Sequence, residues 1–138
     1  MVHALNQIRR ALTPNGRMID LRPLLDRWPV EVAWSGGFQE AGNATDLPGP
    51  LDDDAAANAA MAAASASFRG EREEVFPFYY YWDTPKEMQD YIAENWDDVI
   101  QVEEAVWANL RSLWATSNAD ARVRMRLKML ITRYALEK

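Results

Sequence analysis

From Arg122 to Lys128 the chain reads Arg-Val-Arg-Met-Arg-Leu-Lys, a cation at every second position with an apolar residue between. A helix would scatter those cations around its circumference, whereas successive side chains of a strand point to opposite faces. The spacing therefore predicts a β-strand within 121–136, with Val123, Met125, Leu127 and Met129 turned inward and the cations on a wet face. A long strand of this kind obliges the rest of the chain to supply a sheet. The stretch Glu71-Arg72-Glu73-Glu74 is the obvious counterpart. Pairing with it would set cations opposite carboxylates, at roughly 0.2–1 kcal/mol per good pair.

That reading makes the cation strip a sheet surface rather than a nucleic-acid contact, and the overall charge agrees. The formal net charge is -6, with 21 acidic residues against 15 basic ones, which disfavours polyanions as partners. The acid is concentrated. Residues 71–104 hold eleven Asp or Glu against Arg72 and Lys86 alone. At 138 residues the chain is expected to form one domain, large enough for its own core. Six Trp, five Tyr and four Phe are set to dominate that core. Cysteine is absent, which removes disulfides, thiolate nucleophiles and thiolate metal ligands. No apolar run approaches the roughly 20 residues of a membrane span. The opening Met-Val-His-Ala-Leu-Asn-Gln-Ile-Arg-Arg lacks the apolar segment of a signal peptide, so a cytoplasmic protein is expected.

Along the chain, Val2, Leu5, Ile8 and Leu12 stand at helical spacing, and Pro14 with Asn15-Gly16 ends that helix, the latter pair suiting positive φ. Residues 17–21 read as a short buried strand. Residues 29–34 and 38–47, with Gly36-Gly37 between, read as a hairpin. Pro48-Gly49-Pro50 breaks the chain. Asp52, Asp53 and Asp54 open an Ala-rich helix that is predicted to reach about Phe68; a linker is the other reading of this segment. Residues 72–82 are aromatic strand formers, with Phe76, Phe78, Tyr80 and Trp82 on one face and Tyr79 and Tyr81 on the other. Pro77 cannot donate to a ladder, which places this strand at an edge or a bulge. Thr84-Pro85-Lys86-Glu87 carries a capping box with Pro at the first helical position. A second helix over about 102–116 follows, before the closing strand. The fold class is thus α+β, a mostly antiparallel sheet of about five strands with three or four helices.

Little of this is chemical machinery. His3 is the only histidine, so Ser–His and Cys–His nucleophile schemes and the usual zinc sites have no material. No catalytic residue and no metal ligand is assigned. None of the six glycines falls in a Gly-x-Gly-x-x-Gly or P-loop pattern. Two features could meet a ligand. Asp20 and Arg22 follow a buried strand, where open α/β sheets often bind ligands; the alternative is a local ion pair before a Pro stop. Trp34, Tyr79, Tyr80 and Tyr81 belong to an aromatic set that could line a pocket for a small apolar ligand, or simply fill core and sheet surface.

The order of elements resembles a known family. Leu12-Thr13-Pro14-Asn15-Gly16-Arg17-Met18-Ile19-Asp20 resembles the passage into the fifth strand of class I S-adenosylmethionine-dependent methyltransferases. Residues 76–92 resemble a later strand and helix of that family, and residues 121–136 its closing antiparallel strand. The resemblance implies the C-terminal half of a Rossmann-like methyltransferase fold. The glycine-rich cofactor loop, the acidic residue after the second strand and the positions after the fourth have no counterpart here. It follows that S-adenosylmethionine is expected only if a partner chain, a methyltransferase front half, completes the site, and that the isolated chain leans away from enzymatic activity. It also implies that strand 17–21 lacks its usual neighbour on one side. The 29–47 hairpin, a second copy or another chain could cover that edge, and a homodimer is the preferred expectation because it needs only this sequence. A small-ligand enzyme using Asp20, Arg22 and the tyrosines is a third reading.

Overall fold

The computed structural model describes residues 2–24, 27–47, 52–64 and 66–137; Pro48-Gly49-Pro50 lies outside them. Among the described residues there are six strands and four helices, and the fold is α+β. In order these are α1 (Val2–Ala11), β1 (Arg17–Pro23), β2 (Trp28–Trp34), β3 (Gly37–Asp46), α2 (Asp52–Ala63), β4 (Phe68–Trp82), α3 (Pro85–Asn95), β5 (Ile100–Gln101), α4 (Glu104–Ala115) and β6 (Arg122–Leu136). They form two compact units. One holds α1, β1, α2, the start of β4 and the end of β6; the other holds β2, β3, the end of β4, α3, β5, α4 and the start of β6.

In the first unit β1 pairs antiparallel with β6, from Arg17 opposite Ala135 to Pro23 opposite Met129. Leu5, Met18, Ala60 and Phe68 are buried together, with Leu12, Met61, Ala64, Tyr134 and Leu136 packed around them. The methyl side chains of α2 let this helix approach closely, so the two large anchors, Met61 and Phe68, carry its apolar area. Phe68 anchors from a strand, however, not from the helix predicted to reach it. The N–H groups of Ser67 and Phe68 both turn back to the Ala64 carbonyl, and Glu137 N–H donates to the Ser67 carbonyl, which draws the chain into β4. The positive φ expected at Asn15-Gly16 is also absent. Gly16 is required for space: a Cβ there would lie 2.8 Å from Leu12 Cδ2 and 3.0 Å from the Thr13 carbonyl oxygen.

In the second unit β2 and β3 form the hairpin, and β2 also pairs with β6, Val30 opposite Met125 and Glu31 opposite Arg124. Val30 faces Gly42 while Glu31 faces Glu40, so Ala41 is a bulge. Its carbonyl accepts a hydrogen bond from Asn109 Nδ2 of α4 at 3.1 Å. Gly42 beside it has φ +152°, and a Cβ there would stand 2.7 Å from Val106 Cγ2. Bulge, glycine and helix are one fitted contact. Thr84 caps α3 as its motif requires, Oγ1 accepting from Glu87 N–H at 3.1 Å, and Glu87 Oε2 accepts in turn from Asp83 N–H. Met88 and Ile92 of α3, and Trp107 and Leu110 of α4, are buried. The two-residue β5, paired to Thr45 and Asp46, had no sequence signal.

Candidate functional site

From Arg122 to Lys128 β6 behaves as its alternation predicts; beyond it the buried positions shift to Leu130 and Thr132, and Met129, expected inward, is half-buried. Val123 and Met125 are fully buried and Leu127 nearly so, while Arg122, Arg124 and Arg126 share the opposite side. Directly across from Arg124 stands Glu31 on β2, whose side chain is completely buried. The stretch 29–34 alternates in sequence, which puts Glu31 on a wet face. Instead the arginines cover it. Arg124 Nε donates to Glu31 Oε2 at 2.5 Å, and Arg126 Nη2 lies 3.0 Å from Glu31 Oε1, close enough for charge attraction though without an aligned hydrogen bond.

Arg126 resolves a second conflict. Glu31 and Glu40 are cross-strand neighbours, and like charges so placed repel. The Arg126 guanidinium sits 3.0 Å from both carboxylates. Arg122 ion-pairs with Asp83 at 3.0 Å. Three arginines thus meet three carboxylates on this face.

Aromatic rings complete it. The Arg124 guanidinium lies 4.8 Å from the Phe38 ring centre and 4.5 Å from that of Tyr79, Arg126 lies 5.5 Å from Phe38, and Arg122 5.1 Å from Tyr81. Such stacking favours a cation most where water is excluded. Arg124 Nη1 also donates to Tyr81 Oη at 3.3 Å. Burial works against the Arg124 charge, yet the hydrogen bonds with Tyr81 and Glu31 outweigh it and hold its pKa above the ordinary arginine value. The face is a set of fixed, internally neutralised guanidinium groups, built to hold strands together.

The residues singled out from sequence fall in four places. Asp20 and Arg22 lie in the first unit, 3.5 Å apart as an ion pair, with Arg22 Nη2 donating to Asn58 Oδ1 of α2 at 2.7 Å. Tyr79 and Tyr81 belong to the arginine face just described. Tyr80 lies with the other alternate residues of β4, its ring 5.2 Å from Phe78, 6.2 Å from Trp82 and 4.7 Å from Trp96. Trp34 lines a recess of about 160 Å³ with Val32, Gln39 and residues of the α4 C-terminus. Asp20 is thus brought together with Arg22 in the first unit, and Tyr79 with Tyr81 in the second. His3 sits on α1 beside Gln7.

Sequence reasoning missed Glu31 and Glu40 as the counterions of the strip. Of the acidic stretch chosen for that role, Glu71 meets Arg133 at 3.1 Å and Arg17 at 2.7 Å, in the first unit. Among the described residues no cluster of three or more His, Asp or Glu is placed to hold a metal ion, and no helix is long and apolar enough to cross a membrane. No protein-family model, no curated protein and no solved structure matches the chain.

Proposed function

We propose that this chain is a non-catalytic, methyltransferase-like domain that works in the cytoplasm as a homodimer, completing its sheet through β1. One observation carries the reading. β1 has β6 on one side, and among the described residues no strand pairs with its other side. Leu24 N–H donates to the Lys128 carbonyl. Alternation along β1 then aims the amide groups of Asp20 and Arg22 at β6 and those of Ile19 and Leu21 at the open edge. Ile19 and Leu21 are each 55 % exposed, so the edge offers unpaired backbone together with apolar side chains. Native proteins rarely leave that combination bare. A closing strand antiparallel to β1 is also what the methyltransferase resemblance implies for β6.

Other features support association over chemistry. The recess beside Trp34 falls below the roughly 300–1,000 Å³ of common ligand sites, so a small apolar group is the most it would take. The arginine face meets its own carboxylates, which supports a role without nucleic acid. A second reading is a methyltransferase component whose partner supplies a strand to the same edge along with the site for S-adenosylmethionine. Light scattering during gel filtration tests the first reading, and calorimetric titration with S-adenosylmethionine separates the two. A dimer that gives no heat is expected. A monomer at high concentration, or binding of the cofactor by the chain alone, would overturn the proposal.

A further inference from the structure

Resting on that reading, we infer that the second copy docks on β1 antiparallel, about a two-fold axis through Leu21, and that the pair Asp20/Arg22 sets this register. The hydrogen-bonding edge permits few choices. With the amides of Ile19 and Leu21 facing outward, β1 can meet its own copy centred on Met18, Ile19, Asp20, Leu21 or Arg22, and centring on Met18 pairs only residues 17–19 of the strand. Centring on Asp20 sets two carboxylates directly opposite each other, and centring on Arg22 sets two guanidinium groups so; both are unfavourable. Centring on Ile19 places Asp20 against Met18, so Asp20 keeps only the Arg22 of its own chain and gains no charge partner across the contact.

Centring on Leu21 is self-complementary. Asp20 of each copy then faces Arg22 of the other, Leu21 meets Leu21, and Ile19 meets Pro23. Opposite residues of an antiparallel pair share a face, so the charges gather on one side and the exposed apolar side chains on the other. The backbone agrees. Leu21 N–H and C=O exchange hydrogen bonds with their own copies, and each Ile19 N–H donates to the Pro23 carbonyl opposite. Pro23 has no N–H to return to the Ile19 carbonyl, so each of these outer pairs keeps one of its two bonds and the ladder ends there. The same ladder makes the contact isologous, the form taken by most closed dimers.

The absence of cysteine makes the test clean. Single Leu21→Cys and Asp20→Cys variants are oxidised under copper catalysis, and the crosslinked dimer is followed on denaturing gels. Hydrogen-bonded antiparallel partners stand about 5.5 Å apart at Cα, within the range a disulfide spans, so Leu21→Cys is expected to crosslink about tenfold faster than Asp20→Cys. Leu21 is 55 % exposed, so the variant is expected to keep the circular dichroism spectrum of the parent. In parallel, Arg22→Glu abolishes self-association, and mixing it with Asp20→Lys restores a heterodimer. Faster crosslinking at position 20 than at 21, or an Arg22→Glu protein that remains dimeric, overturns the register while leaving the dimer reading in place. A wild-type monomer by light scattering overturns both.

Discussion

Replacing Glu31 by Gln should be the most costly near-isosteric change in the second unit. Glu31 is wholly buried, and the Arg124 side chain beside it is only 12 % exposed. Removing one partner of a buried ion pair costs about 3–5 kcal/mol, because the other charge stays buried and uncompensated. Arg126 is spared most of this, since it keeps Glu40 at 3.0 Å and is more exposed. The orphan is Arg124. It retains Tyr81 Oη and the two rings that flank it, and Gln can still accept one hydrogen bond. These remnants place the loss at the lower end, about 3 kcal/mol. Arg124→Met should cost less than that, because Glu31 keeps Arg126 at 3.0 Å. The double variant removes both charges, and should recover at least half of the summed loss, because a well-packed apolar pair often equals a buried ion pair. Urea unfolding of the four proteins, analysed as a double-mutant cycle, reads the coupling. A loss under about 1 kcal/mol for Glu31→Gln, the range of exposed pairs, would refute the claim that this carboxylate is structurally buried charge.

Thr84→Ala removes the side-chain acceptor of Glu87 N–H, and should lower stability by about 1 kcal/mol in the same assay. Gly42→Ala should cost about 1–3 kcal/mol through its clash with Val106, and adding Val106→Ala should return only part, since the φ of +152° remains unfavourable for alanine. Hydrogen bonds from Ser35 hold the Asp120 carboxyl below its ordinary value of 3.8. Its folded pKa being depressed, the stability it contributes is present above that value and is lost as pH falls through the lowered one. Asp120→Asn should therefore flatten the acid limb of the urea midpoint plotted against pH. Asp46 has the opposite sign. Burial raises its pKa against a backbone hydrogen bond from Leu47, so its ionised form is disfavoured in the fold, and Asp46→Asn should raise the midpoint at neutral pH.

What was legible in the sequence follows from periodicity and from local chemistry. The strip 122–128 announced both its strand and its buried face, because the period of two admits no other regular structure. Thr84-Pro85-Lys86-Glu87 announced a helix start, because the groups that satisfy the first N–H bonds lie within four residues. Pro77 announced an edge, and β4 pairs only with β6 among the described strands. The Ala-rich helix was legible in kind but not in length. Nothing local in Ala63–Phe68 says that Glu137 will capture the Ser67 carbonyl, a bond across 70 residues that ends the helix early.

The counterions of β6 failed to show for a related reason. Alternation fixes the side on which a residue stands and leaves open which strand stands beside it. Nothing in 29–34 marks Glu31 as buried, because alternation in a two-sided strand reports only that the two sides differ. Here they differ in what covers them: side chains of α4 over Val32 and Trp34, and guanidinium groups and rings over Glu31. A buried carboxylate and a solvated one have the same sequence signature unless the cations that will cover it are already known to be its neighbours. The strip stated that its cations needed carboxylates, and only the register of β2 and β3 against β6 determines that Glu31 and Glu40 are among them. The open edge of β1 is the same problem carried beyond the chain: residues 17–23 specify a strand with outward amides and a self-complementary pair of charges, and the neighbour that answers them is fixed by pairing, not by period.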